Sequence, residues 1–200
     1  MQIRKLFKFE LAHIVRNAYT QRCAQNIHGH SYKVELFIKS NKVEDAQMLI
    51  DFGLVKKGVH DFIDSFDHTF MLWNLPEDEH IVKFACKNFE RVIITPFSSS
   101  AEMQAKMFYE VCEEILSEIQ GFENCKLEKV IVHETDTGYA EYQPHEYDDT
   151  PNTYYPIKIF TKDNFAQVLK DPEAIRISEG IAKEWRNQDW VEDYNNTFTM

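Results

Sequence analysis

Apolar side chains recur along this chain with two different periods. Between residues 6 and 13 the period is two. Phe7, Phe9, Leu11 and His13 share one parity, and Lys8, Glu10 and Ala12 share the other, which predicts a strand. Residues 30 to 39 alternate in the same way. His30, Tyr32, Val34, Leu36 and Ile38 fall together against Ser31, Lys33, Glu35 and Lys39, with Phe37 out of step. The polar stretch from Asn17 to Asn26 reads as a loop between the two. Over residues 51 to 66 the period lengthens. Phe52, Val55, Val59, Phe62, Ile63 and Phe66 line one face of an amphipathic helix.

Pro76 can open a second, short helix carrying Ile81, Phe84, Ala85 and Phe89, and Arg91 to Thr95 reads as a brief strand. Ser99-Ser100-Ala101-Glu102 forms a capping box, with Ser99 as N-cap and Glu102 three positions into the helix. Met103, Met107, Val111, Ile115 and Leu116 continue that helix to about Ile119, and Gly121 suits its C-terminal stop. Lys126 to Glu134 returns to strand character, Asp136-Thr137-Gly138 is turn chemistry, and Tyr139 to Tyr142 reads as the returning strand. Beyond Pro144 the chain becomes more polar, and Asp171-Pro172 can open a helix toward Trp185. Antiparallel hairpins flanking helices place the fold in the α+β class.

Composition narrows the function. Of 200 residues, 44% are hydrophobic and 28% charged, which is globular and excludes disordered and collagen-like classes. No apolar run approaches the roughly 20 residues of a membrane span. The N-terminal segment carries a charge every second or third residue, so it is not read as a signal peptide, and the expected location is cytoplasmic. The cysteines at 23, 86, 112 and 125 form no C-x-x-C pair and are expected as thiols. The net charge is −11, with no lysine or arginine block, so neither nucleic acid nor a membrane is an expected partner. A polyanionic substrate can bind only where local cations or a metal override that field.

Candidate chemistry gathers at few positions. His28-Gly29-His30 opens the second strand, and imidazoles at i and i+2 project from one face, close enough to share a metal. His13 ends the first strand on its apolar parity. If the two strands pair as a hairpin, His13, His28 and His30 converge. Three neutral imidazoles with an open fourth position describe a catalytic zinc site. Cys23 can be a fourth ligand, a nucleophile or a general base. Asp67 can orient His68 and raise its basicity. Glu134, at a strand end, can accept two parallel N–H bonds from a guanidine-like heterocycle edge. His133 has the opposite parity and reads as structural, as do Cys86, Cys112 and Cys125. Each candidate also has a plainer reading: exposed strand histidines, a core histidine, a surface thiol, a helix-terminus histidine and a solvated acid.

Taken in order, these residues resemble the 6-pyruvoyl- and 6-carboxytetrahydropterin synthase family. Phe9-Glu10-Leu11-Ala12-His13 resembles that family's F-x-A-A-H segment, and Cys23 with His28-Gly29-His30 its cysteine-plus-HGH motif. Ile50-Asp51-Phe52 resembles its x-D-F segment, Asp67-His68 its D-H pair, Ser100-Ala101-Glu102 its P-T-x-E, and Glu134-Thr135 its E-T. The resemblance implies a tunnelling fold: a four-stranded antiparallel sheet with two helices on one face, in residues 1–145. Residues 146–200 would be a partly helical extension packed on the same domain. It also implies a homohexamer, a dimer of trimers, with active sites at subunit interfaces.

The resemblance implies the chemistry as well. The substrate is 7,8-dihydroneopterin triphosphate. His13, His28 and His30 hold Zn2+, Cys23 accepts a proton, Asp67 and His68 form a relay, and Glu134 anchors the pterin edge and shares in that relay. Ser100 and Glu102 are further substrate-binding candidates. One branch of the family eliminates triphosphate and keeps the three-carbon side chain as 6-pyruvoyl. The other releases acetaldehyde, leaves a 6-carboxy product and feeds queuosine synthesis. The C-x4-H spacing from Cys23 to His28 falls between C-x3-H of the carboxy branch and C-x5-H of the pyruvoyl branch. The carboxy branch is the expectation here. The alternatives are the pyruvoyl synthase, a non-catalytic pterin- or purine-binding module, and a zinc hydrolase. The last lacks an H-E-x-x-H helix.

Overall fold

A computed structural model describes residues 1–43 and 46–145 and the backbone of 158–161. The two alternating segments form long strands, β1 (Gln2–His13) and β2 (His28–Ser40). They pair antiparallel over their full length, from Gln2 opposite Lys39 to His13 opposite His28. β5 (Cys125–His133) pairs antiparallel with β2, and β6 (Tyr139–Tyr142) pairs antiparallel with β5. These four strands are the antiparallel sheet expected from the sequence.

The sheet does not stop at four. β3 (Thr69–Trp73) runs parallel to β1, and β4 (Arg91–Thr95) runs parallel to β3. The backbone of β7 (Lys158–Thr161) adds antiparallel to β4. Six strands from the fully described residues, plus β7, give the order β6-β5-β2-β1-β3-β4-β7. The sequence reading missed β3 because Phe70-Met71-Leu72 is a continuous apolar run without alternation. Such a run is what a strand covered on both faces requires.

Helix α2 (Phe52–Asp64) begins at Asp51, whose Oδ1 accepts the Gly53 N–H at 2.5 Å. With α4 (Ala101–Ser117) it covers one face of the antiparallel half. There Phe9, Tyr32, Val34, Leu36, Val59, Ile63, Phe108 and Leu127 form the main core. Met71 and Ile93 join that core from β3 and β4. Their neighbours Phe70, Leu72, Val92 and Ile94 point the other way and pack on Val82 and Ala85 of α3 (Glu79–Asn88). The parallel strands are thus sandwiched between helices on both sides.

Three boundaries differ from expectation. A short helix α1 (Gln21–Gln25) interrupts the predicted loop. The N-cap of α4 is Ser100 rather than Ser99, and its side chain makes no capping bond. Ser99 is instead buried and donates its hydroxyl to the Ile14 carbonyl at 2.9 Å, so the capping box does not form. The last turn of α4 closes at Ser117, before Gly121, which adopts φ +96° in the turn that follows. The helix expected from Asp171 lies outside the described residues. Among the described residues no helix is long and apolar enough to cross a membrane.

Candidate metal centre and the groups around it

The register of β1 on β2 builds the centre. His13 stands directly opposite His28, and His30 lies one pleat further along β2 on the same face. Ligand atoms of the three side chains all lie within 4.8 Å of one another, close enough for one ion. Gly29, between the two β2 histidines, packs tightly on β1: a Cβ there would lie 3.3 Å from the Leu11 carbonyl oxygen.

Each ring is oriented from behind. His13 is fully buried, and its Nδ1 lies 2.9 Å from the Ser99 carbonyl, an acceptor that calls for a proton on Nδ1. His28 Nδ1 lies 3.0 Å from the Asn26 carbonyl in the same way. Both tautomers leave Nε2 as the nitrogen open to a metal. Burial lowers the His13 pKa to about 4, against the Ser99 carbonyl, which favours the protonated ring; the charges of His28 and His30 add to the lowering. Burial also lowers the His30 pKa, opposed by Glu134 and reinforced by His28. Neutral imidazoles are the form that ligates, so the donor set fits a divalent metal.

Glu134 follows the last residue of β5 and lies beside the cluster. Its Oε1 is 3.5 Å from His13 Nε2 and 3.9 Å from His30 Nε2, and it accepts the Tyr32 hydroxyl at 3.4 Å. Tyr32 is fully buried and in turn accepts Gln104 Nε2 at 3.2 Å. Burial foremost, then the Glu134 charge, pushes the Tyr32 phenol well above its usual range. Gln104 Nε2 also donates to the Ser99 carbonyl at 2.9 Å, so one amide supports both His13 and Tyr32. Sequence reasoning missed Ser99, Tyr32 and Gln104 as parts of the site. For Tyr32 the signal was present: it continues the parity of His28 and His30.

Asp67 and His68 are placed differently. Asp67 Oδ1 accepts the Glu10 N–H at 2.7 Å, and the His68 N–H donates to the Glu10 carbonyl at 2.7 Å, a two-point lock on β1. Asp67 Oδ2 lies 2.6 Å from His68 Nδ1, so the carboxylate orients the ring as the sequence suggested. Burial would raise the Asp67 pKa, but the Glu10 N–H, His68 and Arg91 outweigh it and hold the carboxyl below its usual range. His68 is three-quarters exposed and has φ +56°, a left-handed backbone uncommon for a side-chain-bearing residue. It lines an open groove of about 760 Å³ with Glu10, Ser31, Phe89 and Arg91. The pair does not join the ligand-atom group of His13, His28 and His30.

Cys23 sits in α1, half-buried, and its carbonyl accepts the Val15 N–H two residues beyond His13. Its thiol is not one of the grouped ligand atoms. Glu102 is exposed in the first turn of α4, next to the N-cap Ser100. His133 bonds Glu35 at 2.6 Å, in keeping with its structural reading.

A family model described as 6-pyruvoyl tetrahydropterin synthase matches residues 2–145. A Helicobacter pylori protein named 6-carboxy-5,6,7,8-tetrahydropterin synthase is 36% identical over 95% of this chain and 89% of its own. A protein of the same name from Aquifex aeolicus is 31% identical over 71% of this chain and 97% of its own. Two solved structures share the fold. An uncharacterized protein from Wolinella succinogenes has a TM-score of 0.59 and 20% identity, over 72% of this chain and 98% of its own. The 6-pyruvoyl tetrahydropterin synthase of Caenorhabditis elegans has a TM-score of 0.51 and 20% identity, over 72% and 96%.

Proposed function

The chain belongs to the 6-pyruvoyl tetrahydropterin synthase family, and from that premise we propose that it is a lyase of the carboxy branch. It converts 7,8-dihydroneopterin triphosphate and water to 6-carboxy-5,6,7,8-tetrahydropterin, acetaldehyde and triphosphate, on the route to queuosine. The observation that carries the branch is the reach of the Helicobacter pylori match: 36% identity extends over 95% of the chain, beyond residues 2–145 matched by the family model.

His13, His28 and His30 would hold Zn2+. When bound, the ion supplies Lewis acidity and a template for the side-chain hydroxyls of the substrate. The chain's own residues divide the remaining tasks. Glu134, beside the cluster and hydrogen-bonded by Tyr32, takes the amino-pyrimidine edge of the pterin as a two-point acceptor. Cys23 accepts a proton from the side chain. Asp67 keeps His68 oriented for the relay, and its own ionised form is favoured by its partners. Ser100 and Glu102, at the start of α4, contact the substrate.

Within one chain His68 lines the same open groove as His30 but is not among the grouped ligand atoms, and its ring is mostly exposed. That exposure supports a homohexamer, a dimer of trimers, in which one subunit's histidines meet another's relay. Exposed Ile27, Phe84 and Phe89 are apolar surface for such contacts. We take residues 1–145 as the catalytic domain, 146–200 as an extension of it, and the location as cytoplasmic.

The test is product analysis. Zinc-loaded protein incubated with 7,8-dihydroneopterin triphosphate is expected to yield a 6-carboxy product and acetaldehyde by mass spectrometry. A 6-pyruvoyl product would move the chain to the other branch. Zinc-occupied protein without turnover would favour the binding-module reading. Turnover that survives Cys23→Ala would favour a hydrolase.

A further inference from the structure

α1 carries the cysteine on which the proposed proton transfer depends, yet little in α1 itself keeps it in place. It is five residues long, has no buried side chain, and is not capped by the Thr20 side chain. One such turn is not stable by itself, and it has no apolar face to dock. It is tied by backbone carbonyls. Val15 N–H donates to the Cys23 carbonyl at 3.0 Å, and Arg16 Nη1 donates to the neighbouring Ala24 carbonyl at 2.6 Å.

The guanidinium of Arg16 is itself clamped. Nε donates to Asp78 Oδ2 at 2.6 Å and Nη2 to Asp78 Oδ1 at 2.7 Å, a two-bond fork between largely buried side chains. Asp78 ends the 3-10 turn Pro76–Asp78 that leads into α3, in the segment between the two parallel strands. A planar fork fixes the direction of the third donor, which an ammonium on a flexible stem does not. We propose that Arg16, clamped by Asp78, is a positioning residue that sets where the Cys23 thiol stands. The proposal rests on the reading of Cys23 as proton acceptor.

Arg16→Lys keeps the charge and loses the fork; Asp78→Asn weakens the clamp from the other side. Each variant is expected to lower kcat roughly ten- to a hundredfold, with KM and zinc content unchanged. The double variant should be no worse than the poorer single one. Iodoacetamide labelling, read peptide by peptide, gives a second measure. The Cys23 rate should shift several-fold in both variants while Cys86 and Cys125 keep their wild-type rates. General loosening would move all three thiols together. Wild-type labelling of Cys23 in the variants, or a shift shared by Cys86 and Cys125, would overturn the proposal. Cys23→Ser tests the reading beneath it separately: full turnover there would remove the proton-acceptor role, whereas the labelling result concerns Arg16 alone.

Discussion

The imidazole cluster and the Asp67–His68 pair both attach to β1, three residues apart along the strand, and they are made in opposite ways. The cluster is fixed by strand register. His13 and His28 face each other across a continuous ladder, and backbone carbonyls of Ser99 and Asn26 hold their rings. The pair is fixed by a left-handed backbone and two bonds to Glu10, and it presents a mostly exposed imidazole to an open groove. The candidate metal site is preorganised within one chain. If the pair is the proposed relay, it acquires a dry, oriented environment only when another surface covers it. On that proposal, the difference separates what folding builds from what assembly would build.

Removing a ligand should break the first half outright. His28→Ala is expected to abolish stoichiometric zinc, measured by metal analysis of purified protein, and to lower turnover on the order of 10³-fold. Full zinc content in that variant would remove His28 from the centre. Altering the second half should leave the first intact. His68→Ala and Asp67→Asn are expected to keep zinc and lose kcat by roughly 10²- to 10⁴-fold. Loss of zinc in either would contradict the separation.

Acid should distinguish the halves through stability. His13 titrates at about 4 when folded, below the roughly 6.5 of a free imidazole. The unfolded chain therefore binds more protons between those values. Metal-free protein keeps the full contribution of neutral His13 above pH ~6.5 and loses it progressively toward pH ~4, on the order of 3 kcal/mol. Urea unfolding of wild type and His13→Asn should converge over that window. Curves that stay parallel between pH ~6.5 and ~4 would mean that His13 is not held neutral by burial. The ionised Asp67 works lower on the scale, since its depressed pKa preserves its contribution until the pH falls through the carboxylate range. The smallest effect is expected behind the cluster. Gln104→Leu removes the donor shared by Ser99 and Tyr32 and should weaken zinc affinity roughly tenfold, by competition with a chelator.

The sequence revealed the two halves unequally. The imidazole cluster was legible because strand parity and a hairpin suffice to bring positions 13, 28 and 30 together. Glu134 was legible only as a strand-end carboxylate and by family resemblance; its place next to Tyr32 follows from the pairing of Lys33 with His133. β3 was hidden in an apolar run without alternation. The clamp of Arg16 on Asp78 joins residues 62 positions apart and has no local signature. Ser99 looked like a helix cap because its pattern fits one. Tertiary bonding to His13 and Ile14 claimed it instead.

In the proposed assembly the metal ligands and the relay come from different chains. Mixing two variants tests this. His28→Ala lacks the metal site and keeps the relay; His68→Ala keeps the metal site and lacks the relay. Each alone should be nearly inactive. Co-expressed and co-purified, they should regain activity, because random assembly into a symmetric oligomer pairs an intact centre with an intact relay in about a quarter of sites. Mixed oligomers as inactive as either parent would mean that each site is completed within a single chain.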